Sequence, residues 1–348
     1  MTRTRIFIID DSSLFRDMLR AIVEADGEIV VVGEAASGEE ALTRLASCEA
    51  DLVTVDIEMP GAGGLDTITK LMTGRPVPIL VLTGQPTGEG SSLAFEAIGR
   101  GALEIASKSS LGEDDGRWLR GIIKQLGSVR VVHHPGLHRP LSVPAPASSM
   151  RLPLPARCPI IGIAASSGGP SAIVDVLRAL PGDFGGCIAV VQHLPNGFVA
   201  PFERFLSERL ELIVTVVHAR TMPRPGTVLL PADDRHLVLA DDGAFLASDG
   251  PPIGGHRPSA TRLFESLARV EGRRAVGVVL SGMGDDGAAG LSALRRAGAE
   301  VIAQDQATSA IYGMPRAAIE RGAVTQVLPV GAIGSLLCRL SSERARAP

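Results

Sequence analysis

Two stretches in which short apolar runs alternate with amphipathic segments, parted by a proline-rich interval, constrain this chain more than any other feature. From residue 5 the order is RIFIID, LFRDMLRAIVEA, IVVVGEA, GEEALTRLASC and DLVTVDI. It continues through PVPILVLTG, a helical SLAFEAIGRG, the short LEIAS and a last helix near GRWLRGIIKQLG that ends at about residue 127. Apolar runs that alternate with helical segments pair as parallel strands through βαβ crossovers, so five such units predict a doubly wound α/β domain over 1–127. Residues 128–157 break the rhythm with six prolines, three histidines and no acidic residue, which predicts a linker. The rhythm restarts at PIIGIAASSGGPSAIVDVLRAL and runs through CIAVVQHL, PFERFLSERL and LIVTVVHA. Between 221 and 258 short strand-like runs separated by turn residues predict inserted hairpins. RAVGVVLSG, GAAGLSALRRAG and EVIAQD then close the second domain, 158–348, as strand, helix and strand. The expected architecture is therefore α/β, two doubly wound parallel-sheet domains, the second carrying a β-hairpin insertion.

A chain of 348 residues is long enough to bury two cores, and 45% hydrophobic against 21% charged residues is globular material. A net charge of -4 and a pI near 6.0 leave no basic footprint for a nucleic-acid backbone. No acid but seven Lys or Arg occur from 116 through 174, so the linker within it is locally basic and reads as a solvated tether, with recognition of an acidic partner as the alternative. Four scattered cysteines without CxxC spacing point to neither a disulfide framework nor a zinc site and fit a reducing cytoplasm. The first strand begins within five residues of the N-terminus and no apolar run reaches spanning length. The expectation is a soluble, cytoplasmic protein with no membrane insertion.

Polar residues at strand ends carry the chemistry, because ligands of doubly wound sheets bind at the carboxyl edge. Asp10 and Asp11 end the first strand and Asp56 the third. Three convergent carboxylates repel one another unless a hard divalent cation joins them, which suits Mg²⁺. Thr83 ends the fourth strand and Lys108 the fifth, supplying a hydroxyl and a cation at the same edge, so the set can hold a phosphoryl group. Any one of these acids has a plain alternative as a turn residue; five positions together do not. The pattern of DD, D-x-x-M-P, a Thr after the fourth strand and a Lys after the fifth resembles response-regulator receiver domains, with their flavodoxin-like fold. That resemblance implies that Asp56 is the phosphoacceptor, that Asp10 and Asp11 hold Mg²⁺ with it, and that Thr83 and Lys108 form the switch. It also implies a histidine kinase as phosphodonor. Three positions depart from the pattern: GAGGLD follows Pro60 where an acidic-Gly pair is usual, Ile105 stands where an aromatic is common, and Ser109 replaces proline after Lys108.

In the second domain AASSGGPSAI places Ser166 between a strand and a helix that starts near Pro170. A serine there sits on a sharp turn beside backbone N–H groups that can face an oxyanion, or else it simply caps the helix. A serine nucleophile needs a base and the base an orienting acid. His193 follows the next strand, and Asp286 lies in the turn after VGVVLSGMG; the other six histidines lie in the linker or near the hairpins. The order Ser, His, Asp is not that of α/β-hydrolases. The motifs GIAASSGGP, QHLPNGF, HRPS, GMGDDGAAG and YGMPR, which span about 158 to 320, instead resemble the catalytic domain of chemotaxis protein-glutamate methylesterases, a Rossmann-like domain. With a receiver in front, the resemblance covers nearly the whole chain.

By that resemblance Ser166 is the nucleophile, His193 the general base and acid, and Asp286 the residue that orients His193. Ser167 and Met283 supply oxyanion-hole N–H groups, and His256 through Ser259, including Arg257, line the site. The implied reaction is hydrolysis of glutamate methyl esters on methyl-accepting chemoreceptors to glutamate and methanol, with glutamine deamidation in some members. No cofactor is implied for this carboxylic ester hydrolase. In the resembled family the unphosphorylated receiver packs over the catalytic cleft and phosphorylation relieves the block. Two other readings stand beside this one. Gly282, Gly284 and Gly287 after a strand, with Asp305 ending the next, mimic a dinucleotide fingerprint and an NAD-binding enzyme, although Asp285 and Asp286 put negative charge where a pyrophosphate would lie. A non-catalytic response-regulator adaptor is the other.

Overall fold

The computed structural model describes residues 3–60, 63–84, 89–111, 113–129 and 158–346. The chain divides into two units between residues 139 and 140. All of the expected linker beyond residue 129 lies outside the described residues, as do Gly61 and Ala62 of the GAGGLD segment.

The first unit runs β1 (Thr4–Ile9), α1 (Ser13–Glu24), β2 (Ile29–Ala35), α2 (Gly38–Leu45), β3 (Leu52–Asp56), α3 (Gly63–Gly74), β4 (Ile79–Thr83), α4 (Glu89–Gly99), β5 (Glu104–Ser107) and α5 (Arg117–Leu126). Its strands pair in parallel in the order β2-β1-β3-β4-β5. Local chemistry starts the helices where the sequence predicts. Ser12 caps α1 by accepting the Phe15 N–H at 3.3 Å, and Ser37 caps α2 by accepting the Glu40 N–H at 3.2 Å. The Glu40 carboxylate reaches back to the Ala36 N–H at 2.8 Å. α5 buries Leu119, Ile122, Ile123 and Leu126, one face at helical spacing. β3 and β4 are buried throughout, as strands covered on both faces must be.

The second unit runs β6 (Ile160–Ala165), α6 (Gly169–Leu177), β7 (Cys187–Gln192), α7 (Val199–Ser207), β8 (Ile213–Val217), β9 (Thr227–Pro231), β10 (His236–Leu239), β11 (Phe245–Ser248) and α8 (Ala260–Val270). It continues through β12 (Val276–Val279), α9 (Ala288–Arg296), β13 (Glu300–Gln304), α10 (Met314–Glu320), β14 (Gln326–Leu328) and α11 (Val330–Arg346). Seven strands form a parallel sheet in the order β14-β13-β12-β6-β7-β9-β8. The chain winds from β6 toward β8 and β9 on one side and returns through β12 to β14 on the other. The topological switch point therefore lies between β6 and β12, where such sheets open a crevice at their carboxyl ends.

One expectation needs correction. The 221–258 stretch is not hairpin throughout: GTVLLP supplies β9, which sits in the main sheet between β7 and β8, and only β10 and β11 pair as an antiparallel hairpin. Alternation of apolar residues over so short a run cannot separate a hairpin strand from a sheet strand; the partner decides. The core under the switch point is apolar and tight, with Phe264 of α8 fully buried and lying against Gly162 of β6 and Gly290 of α9. Among the described residues no helix is long and apolar enough to cross a membrane.

Candidate functional site

In the first unit β1, β3, β4 and β5 deliver their polar ends to one edge. Asp10 and Asp56 are buried and Asp11 is exposed, and oxygen atoms of the three lie within 4.8 Å of one another. The Lys108 ammonium bridges Asp10 at 2.6 Å and Asp56 at 2.8 Å and lies 4.3 Å over the Phe15 ring. Burial pushes the Asp10 carboxyl up, against the pull of Lys108, and the Asp56 charge adds to the rise. Burial alone would lower the Lys108 ammonium, but its bonds to Asp10 and Asp56 raise it on balance. An all-oxygen donor set with excess negative charge fits a hard divalent cation such as Mg²⁺. Thr83 stands at the same edge, its hydroxyl 3.3 Å from Glu58, whose carboxylate also accepts the Gly84 N–H at 2.9 Å. Glu58, which sequence reasoning passed over, thus engages the Thr83 hydroxyl and the Gly84 N–H at that edge. Of the three departures, Ile105 is buried in β5, and Ser109 exchanges a 2.7 Å hydrogen bond with Ser107.

In the second unit the register places the candidate nucleophile and base side by side. Ala165 is opposite Gln192 on adjacent parallel strands, so Ser166 and His193 leave β6 and β7 as neighbours, and the His193 N–H donates to the Ala165 carbonyl at 3.1 Å. On the other side the Ser166 N–H donates to the Ser281 carbonyl at 3.0 Å, just past β12. The turn after Ser166 demands glycine. Gly168 caps α6 at φ 72°, a left-handed conformation that L side chains adopt only at a cost, and a Cβ there would meet Ser281 Oγ at 2.9 Å. A Cβ on Gly282 would come within 3.0 Å of the Ser166 Cβ and collide with Met314.

The His193 Nε2 lies 2.9 Å from Asp286 Oδ2, which leaves Nδ1 as the nitrogen available to Ser166; the Ser166 hydroxyl has no hydrogen bond among the described residues. Asp286 is buried and sits on the N-terminus of α8. Its Oδ1 accepts the Ser259 hydroxyl at 2.7 Å, the Thr261 N–H at 3.0 Å and the Gly287 N–H at 2.9 Å, and its Oδ2 accepts the Ala260 N–H at 2.7 Å. Burial would raise this carboxyl, yet the His193 bond and charge, then Ser259 and Thr261, hold it far below the usual carboxylate range. The balance favours the ionised carboxylate, which faces the His193 ring. His256 stacks on His193 with ring centroids 4.1 Å apart and an interplanar angle of 6°. Burial first, and His193 second, push the His256 imidazole below its ordinary value.

The N–H groups of Ser167 and Met283 have no acceptor among the described residues. Arg257 is directed elsewhere: its guanidinium forks onto Asp234 at 2.7 and 2.6 Å. Three residues that sequence reasoning missed brace the site. Gln192 donates to the carbonyls of Ser166 and His193 at 2.8 and 2.9 Å. Ser281 donates through its hydroxyl to the Ser167 carbonyl at 2.7 Å, and Gln304 accepts the Ser281 N–H at 2.8 Å. A glutamine at the carboxyl end of a strand, in CIAVVQ and EVIAQ, is the signal that marks two of them.

The dinucleotide reading fails on the same loop. The Gly287 N–H is bonded to Thr261 and Asp286, the Gly282 N–H to Ile311, and Asp305 caps the Thr308 turn through its amide and hydroxyl. Asp285 and Asp286 put negative charge where a pyrophosphate would lie, and the comparisons with known proteins give that reading and the adaptor reading no support.

A carboxylate pocket on a receiver fold, followed by a hydroxyl, imidazole and carboxylate at the switch point of a second parallel sheet, defines a response regulator whose output is a hydrolase. A family model described as CheB methylesterase matches residues 161–337, and one described as response regulator receiver domain matches residues 6–114. The chain is 43% identical, over 97% of both chains, to protein-glutamate methylesterase/protein-glutamine glutaminase 2 of Anaeromyxobacter dehalogenans (strain 2CP-C). It is 34% identical, over 99% of both chains, to the protein-glutamate methylesterase/protein-glutamine glutaminase of Salmonella choleraesuis (strain SC-B67). The crystal structure of the Thermotoga maritima CheB methylesterase catalytic domain, 33% identical, superposes with a TM-score of 0.51 over 53% of this chain and 99% of that one. The chain belongs to the CheB methylesterase family, with a receiver domain ahead of the catalytic domain.

Proposed function

We propose that this chain is a phosphorylation-regulated protein-glutamate methylesterase in which Ser166, His193 and Asp286 cleave glutamate methyl esters on methyl-accepting chemoreceptors. The observation that carries the reading is the buried Asp286 carboxylate bonded to His193, whose ring leaves the strand next to Ser166. The Ser166 oxygen attacks the ester carbonyl as His193 Nδ1 takes its proton. Asp286 stabilises the imidazolium across the ring, and the N–H groups of Ser167 and Met283 receive the oxyanion. The carbon–methoxy bond breaks as His193 returns the proton, releasing methanol. Water, deprotonated by His193, then attacks the acyl-serine, and the glutamate carboxylate leaves as Ser166 regains its hydrogen. The same route acts on a glutamine side chain with ammonia as the leaving group, a second activity favoured by the names of both relatives.

The boundaries we assign are a receiver at 1–127, a linker at 128–157 and a catalytic domain at 158–348. On the receiver we assign Asp56 as phosphoacceptor for a histidine kinase, Lys108 and Thr83 as its switch partners, and Asp10, Asp11 and Asp56 as holders of Mg²⁺. That ion would offset the charge of the incoming phosphoryl group. His256 shapes the site through its stack on His193. The four cysteines are free thiols, in keeping with a cytoplasmic location.

The test is methanol release from methylated receptor by the full chain. Ser166→Ala is expected to lower the rate by about 10⁴-fold or more, and unchanged release in that variant would overturn the assignment.

A further inference from the structure

A second histidine, with no part in the chemistry above, stands behind the acid of the catalytic set. His236 opens β10 and is 1% exposed. Both of its ring nitrogens are engaged: Nδ1 lies 3.1 Å from the Ser259 N–H, and Nε2 lies 3.0 Å from the Pro251 carbonyl oxygen. A carbonyl can only accept, so Nε2 carries the hydrogen; an incoming N–H can only donate, so Nδ1 offers its lone pair. The tautomer is thus set from both sides.

The partner matters as much as the ring. Ser259 is the N-cap of α8, in extended conformation and 0% exposed. Its N–H points away from the helix and would be an orphaned buried donor without His236. Its hydroxyl donates to Asp286 Oδ1 at 2.7 Å, and the next two N–H groups of α8 bind the same carboxylate. The Asp286 Oδ2 in turn holds His193. One unbroken hydrogen-bonded line runs from the hairpin through His236, Ser259 and Asp286 to the base. A shift of Ser259 would swing the α8 N-terminus and with it the orientation of the imidazole.

We propose that His236 is a positioning residue of the esterase, fixing Asp286 against His193 by holding the Ser259 amide. The inference rests on the reading of Ser166, His193 and Asp286 as the catalytic set and gives the β10–β11 hairpin a role in it.

The test uses the full chain and methanol release from methylated receptor, with kcat and KM measured separately. His236→Ala is expected to lower kcat on the order of tenfold to a hundredfold with KM unchanged, the penalty of a misplaced catalytic group. Asparagine and glutamine separate positioning from packing. The Asn Oδ1 occupies the place of Nδ1 and can accept the Ser259 N–H, so His236→Asn should recover most of kcat. The longer Gln reaches the place of Nε2 instead, so His236→Gln should stay near the alanine variant. Ser259→Ala, which keeps the amide but removes the hydroxyl, should lower kcat in the same direction. Wild-type kcat in His236→Ala, equal rates for the Asn and Gln variants, or a loss confined to KM would overturn the proposal. If the alanine variant does not fold, as judged by circular dichroism, the Asn and Gln pair alone decides. Absence of methanol release from the wild-type chain would sink the esterase reading itself, a separate outcome.

Discussion

At the scale of single residues, neighbours set the properties of each ionisable group. Asp286 is as deeply buried as a core side chain, yet four donors besides His193 keep it charged. His256 shows the opposite balance, because it is half buried with another imidazole stacked on its face. Its folded-state value lies below the ordinary 6.5, first through burial and then through His193. The unfolded chain therefore takes up a proton near 6.5 while the folded chain still resists it, so acidification favours unfolding. The contribution is fully present above the unfolded value and is lost as pH falls through the folded one. His256→Phe keeps a flat ring over His193 and removes the titration. The fall in melting temperature between about pH 7.5 and about pH 5 should be shallower in this variant than in the wild type, as thermal unfolding at each pH will show; an equal or steeper fall would contradict the assignment. That Ser166, His193 and Asp286 lie close together could be expected from their places at strand ends and from the motifs around them. Gln192, Ser281 and His236 were not legible in this way, because their role is to hold backbone atoms that only the folded chain brings near.

At the scale of elements, α8 links core and site. Its amphipathic face buries Leu263, Phe264 and Leu267, and its first turn holds Asp286. Phe264 fills the space beside two glycines: its ring lies 2.9 Å from where a Cβ on Gly162 would stand, and its own Cβ lies 2.8 Å from where one on Gly290 would stand. Phe264→Ala should destabilise the second unit by about 3–5 kcal/mol, the usual cost of emptying an aromatic site in a close-packed core. Chemical denaturation measures it, and a loss below about 1 kcal/mol would mean that the core repacks. Sequence rhythm predicted β6, β7 and β12 correctly but passed over α8, α10, β14 and α11. β14 has only three residues, and an exposed edge strand of that length leaves no periodic trace.

At the scale of the molecule, one chain joins a phosphate-accepting pocket to a hydrolase. If the receiver restrains the catalytic unit, the isolated 158–348 fragment should release methanol at least as fast as the unphosphorylated full chain. A small phosphodonor with Mg²⁺ should speed the full chain, and Asp56→Ala or chelation of divalent cations should abolish that gain. A clearly slower fragment would reject restraint by the receiver. The two-domain order, the parallel sheets and the residues at their carboxyl edges were determined by sequence alone, because strand burial and helix periodicity are local patterns that repeat along the chain. Tertiary structure decided the rest. Whether GTVLLP pairs in a hairpin or in the main sheet depends on a partner strand some forty residues away in sequence, Cys187 to Thr227. Whether a glycine-rich loop cradles a cofactor or presents a carboxylate to His193 depends on the α8 N-terminus, which folds back onto it. Asp286 is the clearest case: sequence placed its negative charge in that loop, and only the fold supplied the donors that make the charge affordable.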